Sequence, residues 1–135
     1  MKRFFSVLVL AFLIVSSLTA AAPLPTPIFT WEGGLPATMN VGDEATVTIH
    51  VDSDQEFVSV TGLPSFKYAG KGVVAIQGGD RAGHGTTATL NLTFKAKSST
   101  ERMENGQAFV RVVVGVRYGG GYVVVEEHDF YVTIP

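Results

Sequence analysis

The sequence predicts an all-β protein, a single antiparallel sandwich of about seven strands behind an N-terminal export leader. Three observations predict it. Apolar residues recur at every second position in the clearest segments, no stretch carries a helical period, and Gly, Pro or Asp punctuates the chain between short β-branched and aromatic runs.

Residues 1–22 stand apart from the fold. Lys2 and Arg3 precede an apolar run from Phe4 to Val15, then Ser16, Ser17 and the small-residue stretch Thr19 to Ala22, the layout of a signal peptide. Cleavage after Ala22 satisfies the A-x-A pattern through Ala20, with Ala21 nearly as good. The competing reading is an uncleaved anchor, for which the run is short against a span of about 20 residues. Residues 23–27, "PLPTP", form a stiff extended leader, and residues 28–135 form the domain.

Within that domain, "EATVTIHV" sets Ala45, Val47, Ile49 and Val51 on one face and Glu44, Thr46, Thr48 and His50 on the other. "TTATLNLTFKAK" repeats the pattern, with Ala88, Leu90, Leu92, Phe94 and Ala96 inward and Thr89, Asn91, Thr93, Lys95 and Lys97 outward. Shorter strands are expected at Ile28 to Trp31, Phe57 to Val60, Phe66 to Tyr68 and Val73 to Ile76. "AFVRVVVGVRYGGGYVVVEEHDFYVTIP" reads as a hairpin broken by Gly119, Gly120 and Gly121. Alternation fails at Glu126 and Glu127, which predicts a bulge or a strand bending between sheets. Strands of this number and spacing, in one domain's length, predict the immunoglobulin type of sandwich.

Composition excludes several classes. Beyond Lys2 and Arg3, the basic residues Lys67, Lys71, Arg81, Lys95, Lys97, Arg102, Arg111 and Arg117 are scattered and outnumbered by 12 acids, which argues against nucleic acid as a partner. Cysteine is absent, so disulfides, thiolate metal sites and lipidated cysteine are excluded. No apolar tail follows Ile134 that would predict a C-terminal anchor.

"NVGDEATVTIHVDSD", "HGTTATLNLTFKAKSS" and "NGQAFVRVVVGV" together resemble the immunoglobulin-like accessory and adhesion domains of prokaryotic surface and secreted proteins, over about residues 36–134. A more distant similarity is to cohesin-like domains, although "DSDQEFVSVTGLPSFKY" replaces the "YDP"-like segment of those modules, and the "N-T-G" turn of adhesion-type modules is missing. The resemblance implies a non-catalytic module that binds or supports at the cell surface, secreted or held at the envelope, with protein or envelope carbohydrate as partner.

"AIQGGDRAGHG" collects Asp80, Arg81 and His84 among glycines, but the segment after it is a strand, so no helix N-terminus is available to cradle phosphate. It reads as a turn whose glycines take positive φ, leaving these three side chains in an exposed loop. His50, His84 and His128 show no metal-ligand spacing, and "DSDQE" lacks the glycine and distal glutamate of a calcium loop, so it reads as a solvated connection; no metal or cofactor is predicted. Ser59, Ser65, Ser98 and Ser99 lie in no nucleophile motif, and no pair of carboxylates is placed for glycoside hydrolysis; a small hydrolase or metal-dependent sugar binder is the least favoured reading.

Recognition features remain. Asn91-Leu92-Thr93 is a glycosylation sequon on the outward face of its strand. Trp31, Tyr118, Tyr122 and Tyr131 are candidate contact aromatics; Trp31 is expected in the core, Tyr118 and Tyr122 exposed at the hairpin tip. The hairpin arms are apolar on both parities, Phe109 and Val113 included. With "PLPTPIFTW", that excess suits a subunit self-associating through its N-terminal strand or terminal hairpin, unless the chain's own loops cover the surplus.

Overall fold

One strand organises the molecule. The computed structural model describes residues 23–66 and 72–135, and in it β2 runs unbroken from Glu44 to Phe66. Its first half pairs antiparallel with β5 (Gly85–Ala96) over Glu44–Asp52, and on its other side with β1 (Ile28–Gly33). The register shifts between Asp52 and Phe57, and the second half then pairs with β6 (Ala108–Tyr118) through Phe66. β3 (Val73–Ala75) extends the first layer beside β5, β4 (Asp80–Ala82) flanks the second half of β2, and β7 (Val123–Val132) flanks β6.

The layers therefore read β1-β2-β5-β3 and β4-β2-β6-β7, joined through β2. This is the ABED and CFG arrangement of the immunoglobulin sandwich, with strands B and C fused into one. A short parallel bridge between Thr38 and Thr133 ties the segment after β1 to the end of β7.

Period two dictates the core. Val47, Ile49 and Val51 of β2 and Leu90, Leu92, Phe94 and Ala96 of β5 are buried from the first layer, facing Val60, Val110, Val112, Val114, Val116 and Val132 of the second. Each of these valine, leucine, isoleucine and phenylalanine side chains contributes about 1.5–3 kcal/mol on burial. A Cβ on Gly62 would stand 3.1 Å from Leu90 Cδ1 and 3.2 Å from Leu92 Cδ1, so the layers touch there and a larger residue would have to displace both leucine side chains.

Both long alternating strands and the hairpin match their sequence expectation, and four departures are informative. The expected strand at Phe57 to Val60 is the continuation of β2, and "DSDQE" is extended backbone at the crossover rather than a solvated loop. Ser53 is buried there, its Oγ 2.7 Å from the Tyr118 hydroxyl. Asp54 accepts from the backbone N–H of Thr26 at 2.9 Å and from its hydroxyl at 3.1 Å, and the backbone donor holds its carboxyl below the usual range. The proline-rich leader is thereby fastened to the crossover, where Gln55 Nε2 also donates to the Pro23 carbonyl at 2.9 Å.

Second, the glycine-rich segment is not only a turn, because it contains β4. Gly79 does take positive φ, and a Cβ there would stand 2.7 Å from the Gly62 carbonyl oxygen, but Gly78, Gly83 and Gly85 do not. Asp80 is half-buried rather than looped out, and its Oδ2 accepts the Asn91 backbone N–H at 2.8 Å where β3 has ended. Third, β7 pairs with β6 without a bulge from Val123 to Val132. Glu126 keeps the inward parity at the sheet edge because Trp31 Nε1 donates to its Oε2 at 3.3 Å.

Tyr118 is the fourth departure. It is 4% exposed rather than displayed at the tip, because its hydroxyl finds Ser53. The expected signal peptide lies outside the described residues, as do Lys67 and Tyr68 of the strand expected from Phe66. Among the described residues no helix is long and apolar enough to cross a membrane.

Candidate functional site

The outer face of the β4-β2-β6-β7 layer carries a groove of about 470 Å³, at the end of the hairpin remote from its glycine turn. Its floor follows from register. A turn at Gly119–Gly121, with Gly120 and Gly121 at positive φ, pairs Arg111 with Asp129 and Phe109 with Tyr131 across β6 and β7, while Ser65 of β2 lies opposite Arg111 on the other side.

Those pairings create an aromatic platform and a fixed charge pair. The rings of Phe109 and Tyr131 lie 5.1 Å apart at 59°, and Tyr131 is 55% exposed. Arg111 donates from Nε to Asp129 Oδ1 at 2.8 Å and from Nη2 to Oδ2 at 3.2 Å, with Glu127 Oε2 at 3.6 Å and the Phe109 ring 5.6 Å beneath the guanidinium. The Arg111 hydrogen bond and charge hold the Asp129 carboxyl below its usual range, and Asp129 pushes Arg111 up.

The wall is the short helical turn Glu104–Gly106 with Gln107. Thr100, fully buried, anchors it: its hydroxyl donates to the Gly106 carbonyl at 2.7 Å and accepts the Ile134 N–H at 2.9 Å. Asn105 supplies the left-handed conformation at φ 56°, which asparagine tolerates better than most residues.

Of the aromatic residues singled out from the sequence, Tyr131 lines this groove and the others do not. Trp31 is half-buried against the core, edge-on to His128 at 4.9 Å. Tyr122 is exposed beside the turn, its ring 6.1 Å from that of Tyr118. Asn91 is on the opposite outer face, its Oδ1 accepting from the Thr48 hydroxyl at 2.8 Å, while the sequon's Thr93 meets Thr46 at 2.9 Å. Glu104, Asn105, Gln107, Phe109, Arg111 and Asp129 carry no site signal in the sequence, yet they line the groove. Centring the turn on Gly120 would have aligned Arg111 with Asp129, but the groove wall is built by a loop without periodicity.

His84 lies 3.9 Å from Glu56 and His50 lies 3.0 Å from Glu32, both at the surface. Among the described residues no three His, Asp or Glu gather in a way that could hold a metal ion.

No protein-family model and no curated protein matches the sequence. Among solved structures, the fold is similar to a cohesin module from a Clostridium perfringens family 33 glycoside hydrolase, at 11% identity and TM-score 0.44, covering 82% of this chain and 100% of that one. A conjugative transposon lipoprotein from Bacteroides eggerthii matches at 18% identity and TM-score 0.43, covering 76% and 95%. The major pilin subunit of Bacillus cereus matches at 7% identity and TM-score 0.44, covering 81% and 40%. Likeness at this level carries no function from those proteins to this one.

Proposed function

We propose that the protein is an exported, non-catalytic immunoglobulin-like binding module of the cell surface, and that it recognises carbohydrate through the groove on the β4-β2-β6-β7 face. The observation that carries the reading is the exposed Tyr131 ring beside half-buried Phe109, bordered by planar polar side chains, Asn105, Gln107 and the Arg111–Asp129 pair. A ring face covers the C–H face of a sugar, and fixed planar donors and acceptors meet its hydroxyls. The groove also lies within the volume range of small-ligand sites, about 300–1,000 Å³.

The non-catalytic part rests on the sequence, in which no nucleophile motif and no placed pair of carboxylates is found. Export rests on the sequence of residues 1–22.

Affinity electrophoresis through gels containing a series of soluble neutral and acidic polysaccharides tests the reading. Retardation by at least one polymer, lost in Phe109→Ala and Tyr131→Ala, is expected; no retardation by any, or retardation indifferent to both substitutions, refutes it.

The alternative is an assembly subunit that donates its N-terminal strand. It requires β1 to leave the partner it holds along Ile28–Gly33 in its own β2. Sedimentation with and without residues 23–31 separates the readings, because a monomer in both cases ends the assembly reading.

A further inference from the structure

The open margin of the groove-bearing layer is β7. Over Val123–Val132 it pairs with β6 on one side, and among the described residues its other side meets only the segment Ala37–Met39, at Thr133. The Tyr118 N–H donates to the Tyr122 carbonyl at 2.8 Å, which makes that pair hydrogen-bonded and fixes the alternation beyond it. Val124, Glu126, His128 and Phe130 therefore direct their backbone groups at β6. Val123, Val125, Glu127, Asp129 and Tyr131 direct theirs outward, where no strand among the described residues pairs with them, along a strand whose register with β6 has no bulge.

Charge decides what such an edge admits. Its middle carries Glu126, Glu127 and Asp129 against the single guanidinium of Arg111. A second copy of β7 laid antiparallel about the middle of the strand sets carboxylates against carboxylates or against Val125 and its neighbours, and like charges facing across strands are destabilising. A strand carrying cations gains where the copy loses.

We propose that the β7 edge is a strand-addition site for an extended protein segment with basic residues at alternate positions, and that it discriminates against a second copy of itself. In the antiparallel sense the complement places two Lys or Arg, two positions apart, opposite Asp129 and Glu127 on the outer face, followed at the same spacing by apolar residues opposite Val125 and Val123. The edge shares Asp129 and Tyr131 with the groove, but neither Val125 nor Glu127 lines it, so substitutions at those two positions test the edge apart from carbohydrate binding.

The test uses the full chain and a capped peptide, Lys-Thr-Lys-Thr-Val-Thr-Val, followed by amide chemical shifts. Titration up to about 1 mM suits a short segment that must order on binding. Shifts concentrated at Val123, Val125, Glu127, Asp129 and Tyr131, weakened by added salt and absent with Glu in place of Lys, are expected. Val125→Pro removes an outward N–H that no strand among the described residues uses, and should weaken binding about tenfold or more with polysaccharide retardation unchanged. Should that variant not fold, Glu127→Lys must weaken binding instead. Shifts elsewhere or nowhere, equal binding by the Glu peptide, or native affinity in whichever of these two variants folds overturns the proposal.

Discussion

The two outer faces of the sandwich differ in what they leave unmet. On the β1-β2-β5-β3 face, side chains satisfy one another: Thr46 meets Thr93 at 2.9 Å, Thr48 donates to Asn91 at 2.8 Å, and His50 reaches Thr89 and Glu32, each at 3.0 Å. On the β4-β2-β6-β7 face, Leu63, Val123, Val125 and Tyr131 are each about half exposed, whereas the exposed apolar residues of the first face, Ile28 and Ile76, lie at its two edges. A face that closes its own hydrogen bonds has little to gain from a partner, whereas exposed apolar and aromatic surface has burial still available to it.

The comparison presupposes packed layers, so the largest effect comes from unpacking them. Phe94→Ala, at a fully buried ring shared by the core, should cost about 3–5 kcal/mol in denaturant unfolding and abolish both faces alike. Thr100→Val should cost about 1–3 kcal/mol by stranding the Gly106 carbonyl and Ile134 N–H. It separates the faces, loosening the groove wall and thus ligand retention while amide shifts of Thr46, Thr48 and Asn91 stay put.

Tyr131→Ala should reduce polysaccharide affinity about tenfold with a stability change within about 0.5 kcal/mol, as for most exposed positions. Acid sharpens the same point. Because Asp129 titrates below the ordinary carboxylate value, its pairing with Arg111 is intact above that value and is lost only as pH falls through the lowered one. Retardation should therefore stay flat from pH 7 to about 4 and decline below. Smallest of all, Thr46→Ala on the self-satisfied face should shift unfolding by no more than about 0.5 kcal/mol and leave binding untouched; a binding defect there would erase the distinction between the faces.

How legible was this from sequence? Strands whose one face is buried declare themselves: β5 buries Leu90, Leu92 and Phe94 as the alternation requires. The hairpin declared itself through its glycines. What stayed hidden depends on partners distant in the chain. Glu126 looks like an interruption until Trp31, 95 residues away, offers its indole N–H, and Tyr118 looks like a tip residue until Ser53 takes its hydroxyl. β4 has three residues, too few to show a period. The same holds for the site: Tyr131 could be named as an exposed aromatic, but its neighbours Asn105 and Gln107 come from a loop placed by a buried threonine.

The sheet-crossing β2 has a consequence for how the molecule comes into being. Its central partners in the two layers lie at residues 85–95 and 110–118, so neither layer can close until those distant segments arrive. Such topology folds slowly compared with helical domains of similar size. A chain leaving the ribosome N-terminus first could not seal its second layer until Tyr118 had emerged, and under the proposed export it would remain threadable until then.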